Sequence, residues 1–129
     1  MKRNLAVLLF VVVMLFSALP VCAASEARIA VAAEEPRASA RVSPVAARCA
    51  WFLLFDKNGE FIESVANPFR DASGAAAAQV VKFLADSGVD LVIAGNFGAK
   101  MLDNMASNGM RHLEFSGTVI EGTEEALQQ

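Results

Sequence analysis

The chain has 129 residues, with 11 Lys and Arg against 14 Asp and Glu, a formal charge of −3. Scattered cations on a mildly acidic chain leave no basic footprint for nucleic acid or anionic lipid, so no nucleic-acid partner is expected. The length suits one domain with one core.

The amino terminus reads as an export signal. Lys2 and Arg3 precede an apolar run of 15 residues, Leu5 to Leu19, which is the length of a signal core. Pro20 breaks that segment, and Val21-Cys22-Ala23 places small residues around a cleavage point. A membrane span needs about 20 apolar residues, so the segment touches the membrane lastingly only if it stays uncleaved. Cys22 would suit lipid attachment, but Val21 is bulky where such sites favour Gly, Ala or Ser. Cleavage after Ala23 leaves 106 residues with a formal charge of −5: a short tail, 24–27, and a domain over 28–129. The expected location is the periplasm. Cys49 is then the only thiol, so the domain has no internal disulfide and depends on packing.

In chain order, Arg28 to Ala33 is a compact apolar run that suits a central strand. Glu34 to Pro44, with Pro36 and Pro44, reads as a long loop, a length often functional in small domains. Trp51 to Phe55 is an aromatic-rich strand that turns at Asp56-Lys57-Asn58-Gly59 and returns as Glu60 to Ala66. Asn67-Pro68 ends the hairpin. Ala77, Val80, Val81 and Leu84 recur at helical spacing; Asp71 or Ser73 caps the start and Gly88 closes the end. Asp90 to Ala94 is a short continuous apolar run, the mark of a parallel strand covered on both faces. Gly95 to Gly98 leads into a second helix with Leu102, Met105 and Ala106 inward, stopped at Asn108-Gly109. Arg111 to Phe115 is a last strand, and a short final helix begins at Thr123 with Glu124 and Glu125 in its first turn. The hairpin forces one antiparallel strand and the helical crossovers demand parallel pairing elsewhere. The expected fold is α/β, three layers, built on a mixed five-stranded sheet of ribonuclease-H-like topology.

Ligands of open α/β sheets gather at the carboxyl ends of parallel strands. Glu34 to Cys49, Gly95 to Gly98 and Ser116 to Gly122 would all reach that rim. In "AGNFGAK" the glycines permit close approach to a ligand, and the following helix N-terminus favours an anion. The string lacks the third glycine of a dinucleotide fingerprint and the ending of a P-loop, so a plain strand-to-helix turn is the competing reading. Asp56 and the pair Glu34 and Glu35 fall on opposite edges, and solvated roles are expected for all three. The first strand carries no carboxylate, which argues against a ribonuclease-H-type nuclease.

Cys49 admits three readings. It is a small buried residue, a soft ligand for a metal or cluster, or a nucleophile. Arg48 precedes it, but neighbours on extended chain point to opposite faces. A nucleophile needs a base, and the only histidine, His112, lies on the last strand with no motif joining the two. His112 reads first as a strand-face residue and second as a metal ligand. Met101, Met105 and Met110 lack the clustered spacing of a copper carrier.

The order of elements and several strings are similar to the dinitrogenase iron–molybdenum cofactor biosynthesis family. They are "RIAVAA", Val42-Ser43-Pro44 with Arg48 and "WFLLFD", Asn67-Pro68, "AAQVVKFLADSGVDLVIAGNFG" and "GTEEAL". The resemblance runs from Arg28 to Leu127. It implies a small ribonuclease-H-like domain that binds or carries iron–molybdenum cofactor or an iron–sulfur precursor, not an enzyme. The family commonly reads Ser-Pro-His-Phe-Gly-Arg where this chain has Ser43-Pro44-Val45-Ala46-Ala47-Arg48. Val45 replaces the histidine, so Cys49 either substitutes for a missing ligand or the site is lost. Export is a second departure, because nitrogenase maturation is cytoplasmic. The expectation is an exported binding module holding a metal, a metal–sulfur cluster or a small anion near Ser43, Arg48, Cys49, Gly95, Asn96 and Gly98. The competing classes are an interaction domain with Trp51 or Phe69 exposed, and a thiol enzyme using Cys49.

Overall fold

A computed structural model describes residues 26–129; the expected signal segment, 1–23, lies outside the described residues. Eight elements follow in order: β1 (Ile29–Ala33), β2 (Trp51–Phe55), β3 (Phe61–Ala66), α1 (Ala76–Asp86), β4 (Leu91–Ala94), α2 (Ala99–Ser107), β5 (Arg111–Glu114) and α3 (Val119–Leu127). They build one sheet in the order β3-β2-β1-β4-β5. β1 pairs in parallel with β4 and β4 with β5, while β2 runs antiparallel to both β1 and β3. β2 is therefore the one reversed strand, and the mixed five-stranded sheet is the one that the sequence pattern predicts. Among the described residues no helix is long and apolar enough to cross a membrane.

Alternation along the inner strands divides the core in two. Ala30, Ala32, Phe52, Leu54 and Val92 point to one face, where Val80, Val81 and Leu84 of α1 and Met101 and Met105 of α2 cover them. Val31, Leu53, Phe55 and Ile93 point to the other, under Val119 of α3 and Val42 of the β1–β2 connection. Phe52 and Leu53 have no solvent contact on opposite faces of one strand. Each such side chain contributes about 1.5–3 kcal/mol by leaving water, so a slip of one residue would exchange two filled cores at once.

Four local features differ from the sequence expectation. Neither Asp71 nor Ser73 caps α1; the N-cap is Ala75, in left-handed backbone at φ 54° with no side-chain hydrogen bond. Arg48 holds the carbonyls of Arg70 and Ala72, which fixes the path into α1 and keeps both polar side chains short of its first turn. α2 turns Met101 inward and leaves Ala106 exposed, because the larger side chain gains more from burial. Asp56 is buried, not solvated; its Oδ1 accepts from Asn58 N at 2.8 Å and Glu60 N at 2.9 Å and so organises the hairpin turn.

The last helix starts at Val119, four residues before the expected Thr123. Thr118 is its N-cap: Thr118 Oγ1 accepts from Glu121 N, and the Glu121 carboxylate accepts from Thr118 N at 3.0 Å. Thr123 is instead a buried interior residue whose hydroxyl donates to Val119 O. Hydrogen bonds from the Thr118 backbone and hydroxyl hold the Glu121 carboxyl below its ordinary pKa. A depressed carboxylate contributes stability above its unfolded pKa and loses it as pH falls through the folded one. Thr118→Ala should cost about 1 kcal/mol in urea denaturation at neutral pH. The gap from wild type should narrow in acid.

Candidate functional site

The segments that follow β1, β4 and β5 meet along the carboxyl rim and are tied to one another. Ser43 N donates to Ala32 O at 2.7 Å, Val42 N to Gly117 O at 2.8 Å, and Gly95 N to Ser43 O at 2.8 Å. The long connection after β1 is thus stitched along the rim, with bridges from Ala33 to Val42 and from Arg41 to Thr118. A Cβ on Gly95 would lie 2.8 Å from Pro44 Cα, so only glycine lets these two stretches of backbone touch.

Three hollows open along this rim, and the sequence-predicted residues divide among them. Gly95 and Asn96 line one of about 410 Å³ with Glu34, Arg41 and Ser116. Ser43 and Cys49 line a second, of about 360 Å³, with Val45, Arg48 and Arg70. Arg48 and Gly98 line the largest, about 730 Å³, between the amino ends of α1 and α2.

That largest cleft has a distinctive donor set. α1 begins after Ala75 and α2 after Gly98, and neither end has a side-chain cap. The first helical bonds run from Gln79 N to Ala75 O and from Leu102 N to Gly98 O. The N–H groups of Ala76 to Ala78 and of Ala99 to Met101 therefore lie ahead of the helical ladder, and both positive dipole ends face the cleft. Residues 74–78, Gly-Ala-Ala-Ala-Ala, bring almost no side chain between that backbone and a ligand, and Gly98 has open space where a Cβ would stand. Arg48 and Lys100 add two cations against Asp103. Arg48 Nη1 donates to Arg70 O at 3.0 Å and Ala72 O at 2.9 Å; its other donors have no protein partner among the described residues.

Cys49 is a different case. It is 1 % exposed, and Asn67 Nδ2 donates to Cys49 O at 3.0 Å and Ala47 O at 2.9 Å while lying 3.9 Å from the sulfur. Burial pushes the thiol up to about 12, outweighing its hydrogen bonds and the charge of Arg70. No useful thiolate exists at neutral pH, which removes the nucleophile that the thiol-enzyme reading needs. His112 is exposed on β5 and packs edge-on to Phe97 at 5.2 Å. β1 and β4 separate β5 from β2, about 14 Å at normal strand spacing, so Cys49 and His112 are not brought together. Among the described residues no group of three His, Cys, Asp or Glu side chains could hold a metal ion.

The model of the dinitrogenase iron–molybdenum cofactor family matches residues 27–129. The chain belongs to this family. Its fold is similar to the apo orange protein of Desulfovibrio gigas, with TM-score 0.69 and 29% identity over 82% of this chain and 91% of that one. It is also similar to a putative NifB protein from Thermotoga, with TM-score 0.65 and 31% identity over 79% of this chain and 87% of that one. No curated protein matches. Membership makes this a small, cofactor-related binding domain.

The donors fit one kind of cofactor and not another. Free N–H groups and guanidinium suit an anionic group held by hydrogen bonds, whereas a thiolate-ligated group finds its sulfur sealed and protonated. Sequence reasoning passed over the amino end of α1; its signal was the run of small residues 74–78 opening a helix. Asn67, read as a strand stop, is the buried amide that joins the start of β2 to the end of β3.

Native protein at pH 8 should resist iodoacetamide over a period in which urea-unfolded protein reacts completely. Its stability should fall as pH rises from about 9 towards about 12, because the unfolded thiol ionises first.

Proposed function

We propose that the domain binds and carries an anionic metal–sulfur cluster or metal oxyanion in the cleft between the amino ends of α1 and α2. The supporting observation is that two helix ends without side-chain caps open on one cleft beside Arg48. Backbone N–H groups and guanidinium stabilise negative charge without exchanging ligands, which suits cargo that has to be released. Family membership points to iron–molybdenum cofactor or an iron–sulfur precursor as that cargo, and the orange protein is a relative solved in its apo form. Val45, where the family commonly has histidine, is exposed and cannot ligate a metal, which also favours capture by hydrogen bonds.

The role is binding and not turnover. No thiolate is available at neutral pH, and the rim hollows hold no convergent carboxylate pair for acid–base work. An interaction domain would expose Trp51 or Phe69; both are half-buried, and Phe69 packs edge-on to Phe83.

Anaerobic titration with molybdate, with a synthetic anionic iron–sulfur cluster and with copper(I) tests the reading. Either anion should bind in a saturable way and copper(I) should not. Ala78→Asp places a carboxylate in the first turn of α1, where it favours the helix but opposes an anion. It should weaken anion binding by about tenfold or more, and Cys49→Ala should not. Anion binding unaffected by Ala78→Asp, or abolished by Cys49→Ala, would move the site to the thiol.

We infer that the cargo carrier is an exported protein, on the strength of its charged start, its apolar run and the small Ala23 at the expected cleavage point. Mass spectrometry of protein recovered from its host envelope should find Ala24 at the amino terminus. An intact residue 1 would mean anchoring.

A further inference from the structure

The opposite edge of the sheet, at the amino ends of β1, β4 and β5, gathers charge of its own. Arg28 precedes β1, Arg111 opens β5, and the hairpin turn after the reversed β2 carries Lys57 to the same edge. All three line a hollow of about 400 Å³, within the usual range of small-ligand sites. The hollow contains one acidic side chain, Asp90, in a chain where acids outnumber cations by 14 to 11.

Asp90 is the shared ion-pair partner of Arg28 and Arg111, and one carboxylate does not neutralise three cations. Arg28 Nη1 and Arg111 Nη2 each stand 3.6 Å from an Asp90 oxygen, beyond hydrogen-bond reach, with all three side chains substantially exposed. Lys57 has no ion-pair partner among the described residues. Oδ1 of neighbouring Asp56 is taken by the turn amides. The cations could instead serve the carbonyls at the end of α3, which also reaches this hollow. That explanation lacks a contact, because among the described residues the carbonyls that accept from a cationic side chain are those of Arg70 and Ala72, held by Arg48. Two guanidinium groups therefore share one loosely held carboxylate, and an unpaired ammonium stands beside them around one space.

Apart from Gln129, the rest of the lining is apolar. Ile29 and Leu91 are buried at the floor, and Leu127 stands 48% exposed at the side. A bare inorganic anion would use the cations and leave this surface wet. We propose that the hollow binds a small carboxylate with a short apolar tail, the carboxylate paired with Arg28, Arg111 and Lys57 and the tail laid on Ile29, Leu91 and Leu127. Planar carboxylate matches the guanidinium fork, and burying the tail adds about 0.8 kcal/mol per methylene. The site lies across the sheet from the cleft between α1 and α2, so both can be filled together.

Titration of the purified protein with hexanoate and, separately, with inorganic phosphate, followed by amide NMR shifts, tests this. Hexanoate should give saturating shifts around residues 28–29, 57, 90–91, 111 and 127. Phosphate should bind more weakly. Arg111→Gln and Lys57→Gln, both at exposed positions, should each weaken hexanoate binding by about tenfold. Arg48→Gln, at the far rim, should leave it unchanged. Shifts linear in hexanoate throughout, affinity for phosphate as high as for hexanoate, or Gln variants that bind like wild type would each overturn the proposal.

Discussion

Parallel pairing of β1 with β4, and of β4 with β5, is the constraint from which the rest of the molecule follows. Ala30, Val31, Val92 and Ile93 sit in this pairing without solvent contact, alternately under α1 with α2 and under α3. Strands filled on both faces cannot slip without emptying two cores. Because the strands run the same way, the chain leaves each at one rim, and Gly95 packed against Ser43 and Pro44 closes the joint between two of those exits. Helices that start at that rim present their free N–H groups to it.

The two ends of the sheet consequently differ in chemistry. At the carboxyl rim, positive character comes mainly from backbone dipoles, with alanine and glycine keeping side chains out of the way. At the amino edge, where helix carboxyl ends leave negative character, it comes from Arg28, Lys57 and Arg111. The thiol lies beside the carboxyl rim but adds nothing to its chemistry. Asn67 binds the carbonyls on either side of Arg48, so one buried amide shapes the path into α1, while burial silences the sulfur despite the amide beside it.

Periodicity made the strands and helices legible. Continuous apolar runs announced β1 and β4, and the Asn-Gly turn announced the hairpin. The differences arose where one side chain had two local uses. Asp56 looked like a solvated turn acid, yet its carboxylate is the acceptor that the turn amides need. Thr123 with two acids looked like a helix start, while the Thr118-x-x-Glu121 box stood five residues upstream in plain view. Met101 and Ala106 compete for the same stripe of α2, and only packing against the sheet decides between them.

Function divided along the same line. Residue order alone determined the architecture, the family and the gathering of three segments at one rim, because period, turn chemistry and strand-to-helix alternation are local properties of a chain. Tertiary structure decided what the rim can hold. Whether a thiol is sealed or open, whether an arginine is free or bracing a loop, and whether two helix ends share a cleft all depend on groups far apart in sequence. Burial and hydrogen bonding, the terms that set their chemistry, exist only once those groups are packed together.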